Sequence, residues 1–235
     1  MEDDDNLLII TDIDGVLTEE SLAHGFIDYL RKINVIDKEH GDLIDCALSE
    51  YKNGHISYTD AIGTIDDVYM HALAGRSKEE VDEYVSGFLQ SGGFQPYDYA
   101  KDLVDMVQGH EADIVGYTAG AQRVVNSKTV LEGLGLERIY APERFEENEN
   151  GILVPKEKPE LRHYKEDKFT ELTQGHAGKT SAWGDKDNDA PALKLADIPV
   201  LFNNERMRSL ANEEDWPFIT EEDDVVEKMQ KILFS

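Results

Sequence analysis

Short runs rich in apolar and β-forming residues recur along the chain, and they constrain the fold more than any other feature. They are separated mostly by stretches with helical periodicity, and they fall at 7–11, 113–118, 138–141, 180–183 and 199–202. The earliest runs are almost uniformly apolar, as strands are when helices cover both faces of their sheet. The sequence therefore predicts an α/β fold, a doubly wound, Rossmann-like parallel sheet.

A long segment separates the first of these runs from the second. It has roughly a hundred residues, far more than one crossover helix needs. Ser57-x-x-Asp60 and Ser77-x-x-Glu80 predict two helix N-termini here, and the second is the closer to a full capping box. Two apolar stripes at helical spacing also lie here: Leu22, Phe26, Ile27, Leu30 and Ile33, then Leu43, Ile44, Ala47, Leu48 and Tyr51. We expect a small helical cap over 18–92, inserted into a core of 1–17 and 93–235.

Further along, Asn150-Gly151 lies between two short β-forming stretches, Arg144-Phe145 and Ile152-Leu-Val154. An Asn-Gly pair in this setting is a strong local signal for a β-hairpin. We expect a hairpin after the third strand of the sheet.

Two acidic clusters follow predicted strands. Asp12-Ile-Asp14-Gly15 comes directly after the first run, and Gly15 would let the chain turn sharply away. A second cluster contains Asp185 and Asp189 and follows the run at 180–183. Because open α/β sheets bind ligands beyond the carboxyl ends of their strands, both clusters should face one crevice.

Carboxylates gathered in this way would repel one another strongly without a cation. Two carboxylates with a substrate phosphate suit Mg²⁺, a hard ion that keeps several of its waters. We expect a Mg²⁺ site formed by Asp12, Asp14, Asp185 and Asp189. The alternative for 185–189 is a polar turn that only caps a helix.

A phosphate-binding turn is predicted at the end of the second strand. Thr118 is followed there by Ala119 and Gly120, so its hydroxyl and nearby backbone N–H groups can meet phosphate oxygens. A helix N-cap is the alternative for Thr118. The site also needs a fixed cation, and we favour Lys168 because it begins an amphipathic stretch shortly before Asp185. The other candidates are Lys165, Lys158 and Lys156.

The composition is strongly acidic, with 50 Asp and Glu against 23 Lys and Arg and a formal net charge of -27. The acidic runs are spread along the chain, as in a halophilic protein with a surface adapted to high salt. Lysine outnumbers arginine, so an ordinary acidic protein is the competing interpretation. Either surface disfavours nucleic acid and anionic membranes as partners. No early apolar run is long enough for a signal or membrane segment, so we expect a cytoplasmic protein, either a monomer or a homodimer.

The order of these motifs resembles that of the haloacid dehalogenase-like (HAD) superfamily. The match runs from Asp12-x-Asp14-Gly-Val through Thr118 and a lysine to Gly184-Asp185-x-x-x-Asp189. The helical insertion after the first motif is similar to the C1-capped branch that includes phosphoserine phosphatases.

The resemblance implies a role for each matched position. Asp12 would be the nucleophile that forms an aspartyl-phosphate, and Asp14 would protonate the leaving oxygen and then deprotonate the attacking water. Asp12, the Asp14 carbonyl and Asp185 would hold the metal with support from Asp189, while Thr118, Ala119 and Lys168 bind the phosphoryl group. Asp14 also argues against a dehalogenase, since superfamily dehalogenases lack this second acid. The resemblance thus implies a Mg²⁺-dependent phosphatase acting on a small phosphomonoester.

The leaving group is less well specified. Phosphoserine phosphatases bind their amino acid with a glutamate soon after the first motif and an arginine in the cap. Glu20, or Glu19, is the candidate for the first, but 58–70 contains no arginine, and the cap offers only Arg31 and Arg76. Phosphoserine, another small phosphomonoester and a phosphotransfer reaction therefore all remain open. So does a metal- and phosphate-binding protein without turnover.

Overall fold

A computed structural model describes residues 6–157, 161 and 163–235, apart from the side chains of 58 and 59. The described chain forms eight strands: β1 Leu8–Asp12, β2 Asp113–Tyr117, β3 Ile139–Tyr140, β4 Phe145–Glu147, β5 Leu153–Pro155, β6 Thr180–Gly184, β7 Ile198–Phe202 and β8 Phe218–Ile219. Six of them form one sheet in the order β3-β2-β1-β6-β7-β8, with every neighbouring pair parallel. The predicted α/β parallel sheet is confirmed, and each predicted run contains a strand.

Helices connect these strands and flank the sheet. They are α1 Leu22–Lys32, α2 Lys38–Lys52, α3 Tyr58–Leu73, α4 Lys78–Gln90, α5 Ala100–Gly109, α6 Gln122–Val125, α7 Lys128–Leu134, α8 Tyr164–Thr173, α9 Ala190–Leu195, α10 Arg208–Glu213 and α11 Val225–Phe234, with a 3₁₀ turn at Glu205–Met207. None of the described helices combines the length and apolar character that a membrane span requires.

The centre of the sheet positions the acidic clusters. β1 lies between β2 and β6, with Asp12 paired to Tyr117 and Thr11 paired to Trp183. Ile9 and Ile10 are fully buried, which explains why the β1 sequence does not alternate. This register puts the residue after Gly184 next to Asp12 at one edge of the sheet.

The segment between β1 and α5 consists of the four helices α1–α4, which we call the cap helices. The first predicted stripe is buried as far as Leu30, but Ile33 follows the end of α1 and is 38% exposed. In the second stripe Ile44 and Ala47 are buried, whereas Leu43 is 49% exposed and does not share their buried face.

Both predicted serine caps are present, with their ranking reversed. Ser57 and Asp60 form the complete reciprocal capping box at the start of α3. Ser77 accepts from the backbone N–H of Glu80, and the Glu80 carboxylate also contacts Arg76 and Tyr84.

The predicted hairpin is also confirmed, as β4 and β5 pair antiparallel with Gly151 at φ +72° in the turn. The hairpin binds the cap helices through the backbone. Gly75 N–H donates to Leu153 O at 2.9 Å, and Leu153 N–H donates to Arg76 O at 2.8 Å. It therefore joins the sheet side of the molecule to the α3–α4 connection.

Candidate active site

Asp12 is the last residue of β1 and is almost completely buried, at 1% exposure. Its Oδ2 lies 2.8 Å from Lys165 Nζ. Its Oδ1 has no hydrogen-bond partner among the described residues. A buried carboxylate oxygen with no donor is costly, so this atom is available to a ligand.

The structure places Lys165 beside the acidic group, and not Lys168, which the sequence favoured. Lys165 is 5% exposed and forms ion pairs with both Asp12 and Asp189. Lys168 Nζ instead donates to Glu171 at 2.6 Å and lies 5.3 Å from the Tyr140 ring centroid. The reason is that α8 begins at Tyr164, four residues earlier than the amphipathic stretch suggested, so Lys165 and Phe169 share its buried face.

The remaining candidate lysines do not change this result. Lys156 is bound to Glu143 at 2.5 Å, and Lys158 lies outside the described residues.

Asp185 and Asp189 follow β6 and join Asp12 in one buried group. Carboxylate oxygens of the three residues lie within 4.8 Å of one another. Asp189 Oδ2 accepts from the backbone N–H groups of Asp185 and Lys186, both at 2.9 Å, while its Oδ1 accepts from Lys165. Gly184 permits this arrangement, because a Cβ there would collide with the Asp189 side chain. Asp189 therefore holds both Lys165 and the turn that carries Asp185.

The Asp14 carboxylate does not belong to this group. It accepts from Ser21 Oγ at 2.9 Å and from the Leu22 backbone N–H at 3.0 Å, which fixes it at the N-terminus of α1. The backbone turns away directly after Asp14, at Gly15, where φ is +87° and a Cβ would collide with the Asp185 carboxylate. The predicted metal contact of Asp14 is thus restricted to its carbonyl oxygen.

Lys186 was not predicted, although it is the one lysine within the second acidic cluster. Its Nζ lies 2.9 Å from the Asp185 carboxylate and 3.2 Å from the Asp14 carbonyl oxygen. The buried acidic group is therefore approached by two ammonium groups, Lys165 from one side and Lys186 from another.

The Asp12 and Asp185 carboxyls have raised pKa values. Burial, with smaller contributions from Asp189 and Asp185, raises the pKa of Asp12 to about 8 even though Lys165 opposes the shift. Burial likewise raises the pKa of Asp185 to about 6. Burial alone would lower the pKa of Lys165, but its attraction to Asp12 and Asp189 outweighs this and raises the pKa well above its usual value. The two lysines therefore do not fully compensate the negative charge of the group.

The turn after β2 carries Thr118 and Ala119, as the sequence suggested. Thr118 is buried, its N–H donates to Tyr140 O at 2.8 Å, and its Oγ1 accepts from Gly120 N–H at 3.0 Å. Since Oγ1 accepts from the backbone, its own proton is available to an incoming oxygen.

Arg144 was not predicted as a site residue, although it is 4% exposed and surrounded by acceptors. It donates to Ala119 O at 2.7 Å and Gly120 O at 2.8 Å, and it forms an ion pair with Asp66 of α3. It precedes β4, where the sequence only indicated a hairpin. Arginine and aspartate are rarely buried unless paired, and no local pattern in the sequence identifies a partner 78 residues away.

One cavity brings these groups together. Its lining includes Asp12, Asp14, Thr118, Ala119, Lys165 and Lys186 on the sheet side. The cap helices close it from the other side with residues of α1 and α3. Glu20, the predicted specificity residue, is exposed and absent from this lining, and the neighbouring Ser21 lies there in its place.

A family model for haloacid dehalogenase-like hydrolases matches residues 7–197, which include every motif described above. The chain belongs to this family. The cap helices between β1 and α5 are consistent with its C1-capped branch, and the match makes the protein a hydrolase. A search of curated proteins found no match.

Solved structures share the fold at low sequence identity. A protein of unknown function from Bordetella pertussis Tohama I is 18% identical with a TM-score of 0.74, and the match covers 92% of this chain and 98% of that one. A phosphoserine phosphatase with an analogue of its phospho-aspartyl intermediate is 17% identical with a TM-score of 0.66, covering 97% and 99%. A HAD family hydrolase from Salmonella enterica serovar Typhi is 12% identical with a TM-score of 0.68, covering 98% and 72%.

Proposed function

We propose that this protein is a Mg²⁺-dependent phosphatase that hydrolyses a small phosphomonoester through an aspartyl-phosphate on Asp12. The observation that carries the proposal is the Asp12 carboxylate, buried beside Lys165 with one oxygen free of any hydrogen bond among the described residues. Membership of a hydrolase family supports the same reaction class.

The chain's own residues supply a nucleophile and a proton-transfer group for two successive displacements at phosphorus. An Asp12 oxygen attacks phosphorus while the ester oxygen departs and takes a proton from Asp14. Water then attacks the aspartyl-phosphate, gives a proton to Asp14, and releases phosphate with Asp12 restored. Asp14 suits this role because Ser21 and Leu22 hold its carboxylate beside the cavity.

Thr118, the Ala119 N–H and Lys165 bind the phosphoryl oxygens in this proposal, with Lys165 replacing Lys168. Phosphoryl transfer requires mainly alignment and neutralisation of charge, which a fixed ammonium and hydrogen-bond donors provide.

The residues fit a divalent cation. The group Asp12, Asp185 and Asp189 is buried and has one carboxyl more than the two lysines beside it, and Asp12 Oδ1 has no donor among the described residues. Asp12, the Asp14 carbonyl and Asp185 would hold Mg²⁺, with Asp189 in support, and the ion would neutralise charge on the phosphoryl group. Lys186 donates to two of these ligands, the Asp14 carbonyl and the Asp185 carboxylate, and would compete with the ion for them.

Phosphate release from para-nitrophenyl phosphate tests the proposal. We expect activity with Mg²⁺, none with EDTA, and a loss of at least about 10³-fold in Asp12→Asn. Asp102→Asn, the same change at an exposed position of α5, is the control and should keep full activity. Preserved turnover in Asp12→Asn would sink the nucleophile assignment. Mg²⁺-dependent thermal stabilisation without release from any ester would favour the alternative of a binding protein without turnover.

The setting of the enzyme is also a proposal. We propose that residues 18–92 act as a cap over a core of 1–17 and 93–235, since the cavity is lined from both. We further propose that the protein works in the cytoplasm on a small phosphorylated metabolite, as a monomer or homodimer. Light scattering of the purified protein decides between the two assemblies, and a larger oligomer would refute both.

A further inference from the structure

The cap side of the cavity is apolar apart from Ser21, His24 and Asp66. α3 contributes Ile62, Ile65 and Tyr69, which are spaced to share one helix face, and α1 contributes Ala23 and Ile27. We call these five residues the apolar wall. Ile27, Ile65 and Tyr69 are buried, and Ile62 is half-buried, so the wall is continuous with the packing of the cap helices.

The apolar wall lies on the side of the leaving group. Asp14, the proposed proton donor to the departing oxygen, is bound to the first residues of α1 through Ser21 and Leu22. The same helix carries Ala23 and Ile27 into the cavity. An alcohol that takes its proton from Asp14 therefore emerges between α1 and α3, against the wall.

The cations of the cavity are already bound to protein acceptors. Lys165 is held by Asp12 and Asp189, and Lys186 by Asp185 and the Asp14 carbonyl. Arg144 is bound to Asp66 and to the carbonyl oxygens of Ala119 and Gly120.

The cap arginines do not contribute a cation here. Arg31 pairs with Asp45 at 2.8 Å and Arg76 with Glu80, and neither lines the cavity. His24 does line it, but burial lowers its pKa, so its imidazole is neutral at pH 7. Among the described residues, the wall therefore offers no charged partner to a carboxylate on the substrate, and burying that carboxylate would be costly.

We propose that the enzyme selects phosphate esters of small, uncharged aliphatic alcohols and discriminates against leaving groups that carry a carboxylate, such as serine. The inference rests on the proposed phosphatase function and deepens it by assigning the chemical class of the alcohol.

Two isosteric esters test the inference on the intact protein: 3-methylbutyl phosphate and 3-phosphonooxypropanoate. Their alcohols have similar size, and only the second bears a carboxylate. We expect kcat/KM to be at least about tenfold higher for 3-methylbutyl phosphate, with phosphoserine also a poor substrate. Equal or faster hydrolysis of 3-phosphonooxypropanoate overturns the inference.

A variant pair locates the selectivity in the apolar wall. Ile62→Lys adds a flexible cation to a half-buried wall position, and we expect it to reduce the preference for 3-methylbutyl phosphate at least about tenfold. Ile33→Lys makes the same change at an exposed position outside the cavity and should leave the preference unchanged. An unchanged preference in Ile62→Lys, with a thermal melt that shows a folded protein, contradicts the assignment to this wall.

Different experimental results would overturn the inference and the proposed function. Release of phosphate from para-nitrophenyl phosphate with a preference for the charged ester overturns the inference alone. Release from no ester at all overturns the proposed function, and the inference with it.

Discussion

At the scale of single residues, the site depends on one buried lysine between two buried carboxylates. Removing water from these groups is expensive, and their attraction compensates only because each charge has close partners. Lys165 touches Asp12 and Asp189, and Asp189 in turn holds the backbone of Asp185. A substitution of Lys165 should therefore alter the electrostatic environment of Asp12, Asp185 and Asp189.

The two lysines of α8 make a matched pair. We expect Lys165→Met to lower kcat at least about 10³-fold and to destabilise the protein by about 3–5 kcal/mol, since it leaves buried carboxylates unpaired. Lys168→Met should keep activity within about threefold, because Lys168 contacts only Glu171 and the Tyr140 ring in the described structure. Steady-state kinetics on protein shown to be folded by circular dichroism checks both. A larger loss of kcat in Lys168→Met than in Lys165→Met would instead indicate that Lys168 is the phosphate-binding lysine.

The raised pKa of Asp12 should also make the stability of the metal-free protein depend on pH. This pKa is raised from 3.8 to about 8, so folding favours the protonated carboxyl. The stability that this preference contributes is progressively lost as the pH rises between these two values. In EDTA we expect Asp12→Asn to melt above the wild type at pH 8, with a smaller difference at pH 6. Mg²⁺ should raise the melting temperature of the wild type only. A lower melting temperature of Asp12→Asn at pH 8 in EDTA would contradict this account.

The residue-scale predictions from sequence succeeded where a strand fixed the position. Asp12, Thr118 and Asp185 each lie at or directly after the carboxyl end of a strand, and register alone brings them to one edge. Lys165 lies on a helix, where an error of a few residues at the N-terminus rotates every side chain to another face. Arg144 and Asp66 depend on a long-range pairing that composition and periodicity do not encode.

At the scale of elements, the β4–β5 hairpin connects the cap helices to the turn of Thr118, Ala119 and Gly120, which we propose binds phosphate. Arg144, just before β4, binds Asp66 of α3 on one side and the Ala119 and Gly120 carbonyls on the other. The Ala119–Gly120 peptide also donates its N–H to Thr118 Oγ1. Arg144 is thus a positioning residue that orients the Thr118 hydroxyl through this peptide.

We expect Arg144→Met to weaken binding of phosphate itself. The inhibition constant for inorganic phosphate should rise about tenfold or more, with a comparable loss in kcat/KM. The reason is that two carbonyl oxygens of the turn lose the guanidinium that fixes them. Arg138→Met, at an exposed arginine bound to Tyr140 OH, is the control. A destabilised Arg144→Met protein with unchanged inhibition by phosphate would leave Arg144 a structural residue only.

The strands and helix caps of the structure show which sequence patterns predicted secondary structure correctly. The uniformly apolar runs identified the strands of the sheet, but β8 was not predicted, because its two residues, Phe218–Ile219, lie between the acidic runs 213–215 and 221–224. The serine caps were placed correctly, but the sequence ranked the wrong one as the closer to a full capping box.

At the scale of the whole molecule, the net charge of -27 is the dominant physical property. Charge of one sign on a compact body opposes folding, and dissolved salt screens it over about 10 Å at 0.1 M and about 3 Å at 1 M. Many acids have local partners, such as Arg31 with Asp45 and Lys101 with Asp105, but 23 cations cannot pair with 50 anions.

We propose that the surface is adapted to high salt, as the spread of acids along the sequence suggests. The melting temperature should then climb by at least about 5 °C between 0.1 M and 2 M KCl, which corresponds to roughly 1–2 kcal/mol for a domain of this size. NaCl at the same concentrations is the control for a specific effect of potassium. A flat response in both salts would favour an ordinary acidic protein.

The central claim is that Asp12 becomes phosphorylated during turnover. It is tested most directly by acid-quenching the enzyme in the presence of Mg²⁺ and para-nitrophenyl phosphate and locating the phosphoryl group by peptide mass spectrometry. The account predicts a phosphoryl group on Asp12 that appears within one turnover and disappears when substrate is exhausted. Phosphate release without any phosphorylated peptide, or with the phosphoryl group on another residue, would contradict it.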